Sequence, residues 1–512
     1  MPQGIEGQGS APPSQIAQFR SDGITAATGL RLPFFSDSFA RAYGFPEMRL
    51  KNMISEATPV REERPFVPLV GLREIRYSRP GLVSAYSIGT GPIRGLYCQA
   101  GVFGSALFVV SGAAIYNAGT GANLGTIPGT DLVRFAASGN QMVAVAGGVV
   151  YLYGGSGSFA PISGVLPPVS DVAYIAGRFV YACAGTNIFY YSQVNDAANV
   201  PGLNFESAET AAGPIVGMGV LNDELMVFCA TVTQVFSPSG DPDTPFTPVE
   251  GRGYQRGCIA QGTISFMDNA LVWVADNRQV YRSDNANDRI SSHSIEGKIA
   301  QCANPSAMTG WTAIFEGHEI YVLNIPGVGS YGYDASRVGG QAGSYGTSAS
   351  RGEWSEWASY GQATFRGQVC ASLNGVSWVG DDGAGTVWTL QVGVYSDGTD
   401  PIERVASSFI KIESGTPRCL NIVLHCVQGV GNPTGLGSNP MVEMRYSDDE
   451  GRSFCRWRAA ALGAVGAYRR QRVFWQRLGL LRAPGRVIEI RCTDPVNAAF
   501  SHLAFNEPRA AY

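Results

Sequence analysis

The chain has four histidines, His293, His318, His425 and His502, far apart in sequence. Its ten cysteines are scattered, with no CxxC pair and no Cys/His cluster at zinc-ligand spacing. That pattern gives buried free thiols in a reducing compartment, no metal site and no cofactor site. The segment Arg289-Ile290-Ser291-Ser292-His293-Ser294-Ile295-Glu296 places an imidazole three residues before a carboxylate and invites a catalytic reading. A packed strand and loop with a hydrogen-bonded histidine explains the same residues. If the segment has a role, subunit contact fits it best, with Arg289 or Glu296 paired across an interface.

Other strings carry less chemistry. Ser447-x-Asp449-x-Gly451-x-Ser453-Phe454 matches an Asp-box, in which the carboxylate accepts hydrogen bonds from its own hairpin. Glycosidases need a positioned pair of carboxylates, or an activated Tyr with an Arg cluster. Asp223, Glu224, Asp243 and Glu250 are candidate acids, but nothing in the sequence groups them. Gly155-Ser156-Gly157-Ser158 is a degraded nucleophile elbow without strand–turn–helix context. GAGT at Gly383 lacks the Lys of a phosphate loop. The residues therefore point to a protein that is not an enzyme.

The elements around these residues repeat. Turn-started apolar units begin at Gly104, Asn140, Gly177, Asn222, Asn269, Gly317 and, more weakly, Gly367, at intervals of 36, 37, 45, 47, 48 and 50 residues. Most lead through a second turn into another short apolar strand, such as GVVYLY at Gly148 or QVYRS at Gln279. A period near 40–50 with several strands per repeat indicates a β-propeller of six or seven blades, with the apolar units as inner strands. The fold class is all-β, a six- or seven-bladed propeller with a β-sandwich platform.

The domain limits follow. Residues 1–45 are Gly/Pro/Ser/Ala-rich and form an arm, either mobile or ordered against a neighbouring subunit, with one short helix over Ser36–Phe45. Residues 46–85 supply strands that join the platform, 86–400 form the propeller, and 401–512 form the platform. Two inserts break the period, Val194–Glu209 and the Gly/Ser/Tyr-rich Gly327–Trp357.

Of the 512 residues, 45% are hydrophobic and 15% charged, which excludes disorder. Net charge is −4, so the whole chain is not an electrostatic nucleic-acid binder. Residues 401–512 carry 15 Arg or Lys against 9 Asp or Glu, whereas residues 1–400 carry a net −10. Arg469, Arg470 and Arg472, with Arg477, Arg482 and Arg486, form a basic stretch that could face DNA or an acidic partner. Docking to an acidic protein partner is the reading preferred for the stretch. The first 30 residues show no signal-peptide pattern, and the most apolar run, Met142–Tyr153, is too short to span a bilayer as a helix.

Five motifs occur in order: NFESAE at Asn204–Glu209, LNDELMVFC at Leu221–Cys229, SGDPDTPF at Ser239–Phe246, DRISSHSIEG at Asp288–Gly297 and EGHEIYVL at Glu316–Leu323. Together they resemble the packaged-DNA stabilisation, or tail hub (nozzle), proteins of short-tailed bacteriophages. Asn52–Glu56 and Arg79–Leu82 match that family's opening segments. Its closing domain is matched by Arg445–Asp449, Gly451, Gly466, Tyr468, Arg472, Trp475, Arg477–Gly479, Arg482 and Asp494–Val496. Glu450 stands where the family often has Gly, and Phe454 where it often has Trp. The resemblance implies a virion protein of the tail, assembled in the host cytoplasm as a homo-hexamer below the portal and adaptor. It implies a DNA channel without sequence-specific binding, a needle or plug, side fibres or spikes, and indirect contact with the host envelope. The competing reading is a carbohydrate-binding or glycan-hydrolysing propeller, which calls for several Asp-boxes and clustered acids on one loop face.

Overall fold

A computed structural model describes residues 17–19, 30–35, 46–58, 73–162, 164, 166–209, 213–283, 287–336, 352–467 and 472–506. The chain divides into two compact units. One comprises Lys51–Ala57 and Ser78–Glu403; the other comprises Met1–Leu50, Thr58–Tyr77 and Arg404–Tyr512.

Among the described residues the first unit holds seven four-stranded antiparallel blades. The blades open with Ile93–Tyr97, Arg134–Ala137, Val169–Ile175, Ile215–Leu221, Ser265–Met267, Thr309–Phe315 and Gly367–Leu373. Five of these first strands turn into the second through two residues that both have positive φ: Ala176-Gly177, Asn222-Asp223, Asp268-Asn269, Glu316-Gly317 and Asn374-Gly375. Such pairs match the right-handed twist of a tight hairpin, and Asn, Asp and Gly tolerate the conformation best.

The repeat read from the sequence marks the second strands in six blades: Phe108–Ser111, Met142–Ala146, Arg178–Cys183, Glu224–Cys229, Ala270–Val274 and His318–Ile325. These are not the innermost strands. They lie one place out, covered on both faces by adjacent blades, so they read as continuous apolar runs. The unit at Gly367 is out of phase, for it is the first strand of its blade and the second is Val376–Asp381. A separate core fills each of several blade junctions. Val143, Val145, Phe179 and Tyr181 meet in one, Val180, Phe189, Leu225 and Val227 in the next. Each such side chain contributes about 1.5–3 kcal/mol when fully buried. Gly95 marks one close approach, because a Cβ there would stand 2.8 Å from the Phe135 ring of the following blade.

The seventh blade takes its fourth strand from before the propeller. Gly81–Ser87 pairs antiparallel with Thr386–Gln391, in register Gln391↔Gly81 to Thr386↔Ser87. The 46–85 segment is therefore divided: Lys51–Ala57 and the part from Ser78 onward belong to the propeller unit, whereas 46–50 and Thr58–Tyr77 fall in the other. Both inserts contain strands at their ends. Phe205–Ser207 is the fourth strand of blade three, and Gly329–Asp334 and Glu353–Trp357 are the third and fourth of blade six. The centre of the second insert, 337–351, lies outside the described residues.

The second unit is built on two antiparallel sheets. Arg404–Ile412, Gly485–Cys492, Met441–Ser447 and Arg458–Ala461 are neighbours in one. Phe500–Phe505, Asn421–Cys426 and Val473–Gln476 are neighbours in the other. Phe409, Val487, Ile490, Leu424 and Phe505 are among the buried residues of these strands. The N-terminal arm is not wholly irregular. Ala17–Phe19 runs parallel to Ile410–Ile412, and Leu30–Leu32 pairs with Leu503–Phe505. The helix expected over Ser36–Phe45 lies outside the described residues.

Candidate functional site

The segment around His293 is not the strand and loop expected. Asn287–Arg289 is the outer strand of blade five, and an α-helix follows at His293–Ala300. Ser292 caps it, its Oγ accepting from Ile295 N at 3.3 Å. Ile295 and Ile299, one turn apart, are fully buried. Ser at the cap and Ile at i,i+4 were the signals available in the sequence, hidden by the shortness of the helix.

The helix brings three singled-out residues together. Arg289 Nε donates to Glu296 Oε1 at 2.6 Å, and Arg289 Nη2 is 3.1 Å from His293 Nδ1. Ser291 Oγ donates to the same carboxylate oxygen at 2.8 Å. Glu296 also sits in the first helical turn, where the helix dipole favours a negative charge. Arg289 and Glu296 are thus paired with each other inside the chain. The imidazole of His293 is 70% exposed, on the outer edge of the blade. A carboxylate committed to an arginine and a serine is poorly placed to act as a general base, but the cluster makes a rigid polar surface.

The other motifs are hairpins. Ser239–Phe246 links the third and fourth strands of blade four. It is closed by Ser239 N donating to Pro245 O at 2.9 Å and Asp243 N donating to Asp241 Oδ1 at 2.9 Å. Asp241 and Asp243 stand exposed at its tip. The Asp-box is a turn device, as its residue types indicate. Asp449 Oδ1 accepts from Ser453 N at 2.8 Å and from Ser447 Oγ at 2.6 Å, and these serines hold its carboxyl down to about 2.

The basic stretch separates into different roles. Arg472 and Arg477 are exposed at the two ends of Val473–Gln476, which lies last in its sheet. Arg469 and Arg470 lie outside the described residues. Arg486 is buried and unavailable to a partner. It grips Asp448 through two hydrogen bonds of 2.6 and 2.8 Å and lies over the Tyr446 ring.

The first strands of all seven blades line one axial cavity of about 560 Å3. Its walls carry Tyr97, Phe135, Phe266 and Trp311, with Arg134, Asp171 and Glu319 as charged groups. Asp171 links three blades: Oδ1 is 3.3 Å from Arg134 Nε, and Oδ2 accepts from Met218 N at 2.8 Å. Sequence reasoning passed over Asp171, which sits in no motif. The cavity is far too small for duplex DNA, whose major groove alone is about 12 Å wide and 8.5 Å deep.

Among solved structures, BamB from Moraxella catarrhalis is similar at 12% identity and TM-score 0.38, covering 66% of this chain and 98% of that one. BBS1N in complex with ARL6DN is similar at 10% identity and TM-score 0.38, covering 61% and 98%. No curated protein matches the chain. The family model for the Bacteriophage P22 Gp10 β-propeller matches residues 76–394, an interval that takes in all seven blades and the strand that closes the ring. The chain belongs to this phage stabilisation family.

Proposed function

We propose that the chain is a structural, non-enzymatic component of a phage short tail, the hub or nozzle that lies below the portal and its adaptor. Six copies surround the DNA channel, retain packaged DNA and release it into the host. The observation that carries this reading is the family match across the whole ring of blades. Geometry supports one detail. The axial cavity of a single propeller cannot admit a duplex, so the channel runs between copies, and ring closure demands heterologous contacts on two different sides of each chain. The exposed Arg472 and Arg477 serve as docking points for an acidic protein partner. The Arg289–His293–Glu296 surface on blade five is a second contact.

Negative-stain electron microscopy of the purified chain, alone and with the portal–adaptor complex, tests the proposal. Six-fold rings with a central pore, either alone or on the adaptor, are expected. Particles that stay single and do not bind the adaptor would overturn it.

A further inference from the structure

We propose that the axial cavity of the propeller is a docking pocket for a basic polypeptide segment, which lays cationic residues on the rim and seats an apolar side chain inside. One end of the cavity is closed. Leu132, in the link between the first two blades, reaches Gly262 in the link between the fourth and fifth, where a Cβ would stand 3.4 Å from its Cδ1. Arg134 and Asp171 sit near the start of their first strands, toward this end, and answer each other's charge. The other end is open. There the first strands of blades five and six finish, and Phe266 and Ile314, both lining the cavity, are 51% and 44% exposed. Large apolar side chains held together at the mouth of a cavity mark a binding surface, unlike ones scattered singly.

The hairpins that follow these strands put carboxylates around the mouth. Asp223, Asp268 and Glu316 are exposed at the turns of blades four, five and six, and Glu319 lines the cavity. Glu319 Oε1 accepts from Asp268 N at 2.8 Å, which sets the turns of blades five and six side by side. Arg282 answers Asp268 through a 2.9 Å ion pair, and His318 is held by Asp334. Asp223, Glu316 and Glu319 leave the rim net negative. Tyr97 and Cys370 also line the cavity; burial pushes both up to about 12, so neither adds charge near neutral pH. A negative rim over a blind, partly apolar cavity complements cationic residues that flank an apolar one. At about 560 Å3 the cavity falls within the usual range of ligand pockets and takes a few side chains rather than a folded domain. It lies wholly in the propeller unit, separate from the docking points at Arg472 and Arg477.

The test uses the full-length protein and a fluorescein-labelled peptide, Gly-Lys-Leu-Arg-Gly, read by anisotropy near neutral pH. Saturable one-to-one binding is expected, weakened at least about tenfold in E316Q/E319Q and in F266S and unchanged in R472E/R477E. Peptides with Glu in place of Lys and Arg, or Ser in place of Leu, should bind at least about tenfold more weakly. Gln at position 319 keeps an oxygen for Asp268 N, and Phe266 is half-exposed, so both variants should fold. Circular dichroism melts check this, and I314S replaces either variant that fails. No saturable binding up to about 1 mM peptide, undiminished binding in the folded variants, or equal binding of the Glu-bearing peptide would overturn the proposal.

Discussion

Arg79 and Asp397 are 318 residues apart in sequence and form a buried two-pronged ion pair, Nη1 to Oδ1 at 2.9 Å and Nη2 to Oδ2 at 2.6 Å, both side chains at 0% exposure. Asn52 completes the network. Its Oδ1 accepts from Arg79 Nε and from Ala358 N, each at 2.9 Å, and its Nδ2 donates to Ala358 O and Glu403 O. The guanidinium also lies over the Phe365 ring, 4.6 Å from its centroid. The network ties the chain entering the propeller to the chain leaving it. Replacing one partner strands the other charge in the interior. R79M is expected to lose about 3–5 kcal/mol in urea unfolding, while the double variant R79M/D397L recovers most of that loss.

Asp171 makes a similar prediction at the propeller axis. Truncation to Ala leaves the buried Met218 N–H without its 2.8 Å acceptor. D171A should cost about 1–3 kcal/mol, read from the denaturation midpoint, and D171N should cost less because it keeps one acceptor oxygen.

His318 gives the propeller a pH dependence. Its Nδ1 lies 2.7 Å from Asp334 Oδ2, and the hydrogen bond to Asp334, assisted by Coulomb attraction to Asp334, Glu56 and Glu316, raises its pKa against the opposing effect of burial. The protonated form is thus favoured in the folded state. The stabilisation is complete below the unfolded value of about 6.5 and disappears as pH rises through the elevated folded value. The stability difference between the native protein and H318Q should therefore be larger near pH 6 than near pH 8. An equal difference at both would refute this linkage.

Arg472 and Arg477 test docking without disturbing the fold. Both are exposed, so R472E/R477E should change unfolding free energy by no more than about 0.5 kcal/mol per site. Adaptor binding measured by co-sedimentation should fall sharply and should already be salt-sensitive in the native protein. Unchanged binding would remove these arginines from the interface.

The propeller was legible because its signals are local. Pairs such as Asn222-Asp223 announce hairpins, and the double-sided burial of the second strands writes an apolar run into each repeat. The phase was misread where that contrast fades: Gly367–Leu373 lines the axis and is mostly half-buried, but its Val369-Cys370-Ala371 run passes for the apolar run of a second strand. The helix at His293–Ala300 was missed because eight residues hold little more than two turns of pattern. Within the site, the proximity of Arg289, His293 and Glu296 was visible in their spacing, but their mutual pairing depends on that helix. Nothing local reveals Arg79–Asp397, since the pair is joined only by tertiary closure.

The strand Gly81–Ser87 has a consequence for synthesis. Its partner Thr386–Gln391 emerges from the ribosome about 300 residues later. At roughly 5–20 residues per second, that is a wait of about 15–60 s. During it the early blades can form from neighbouring segments, while an unpaired β-strand is presented to a cytoplasm filling with identical chains. Closure in trans, by the same strand from another copy, competes with closure in cis throughout that interval. The yield of usable monomers should accordingly fall as translation slows or expression rises, even though the finished ring has no open seam.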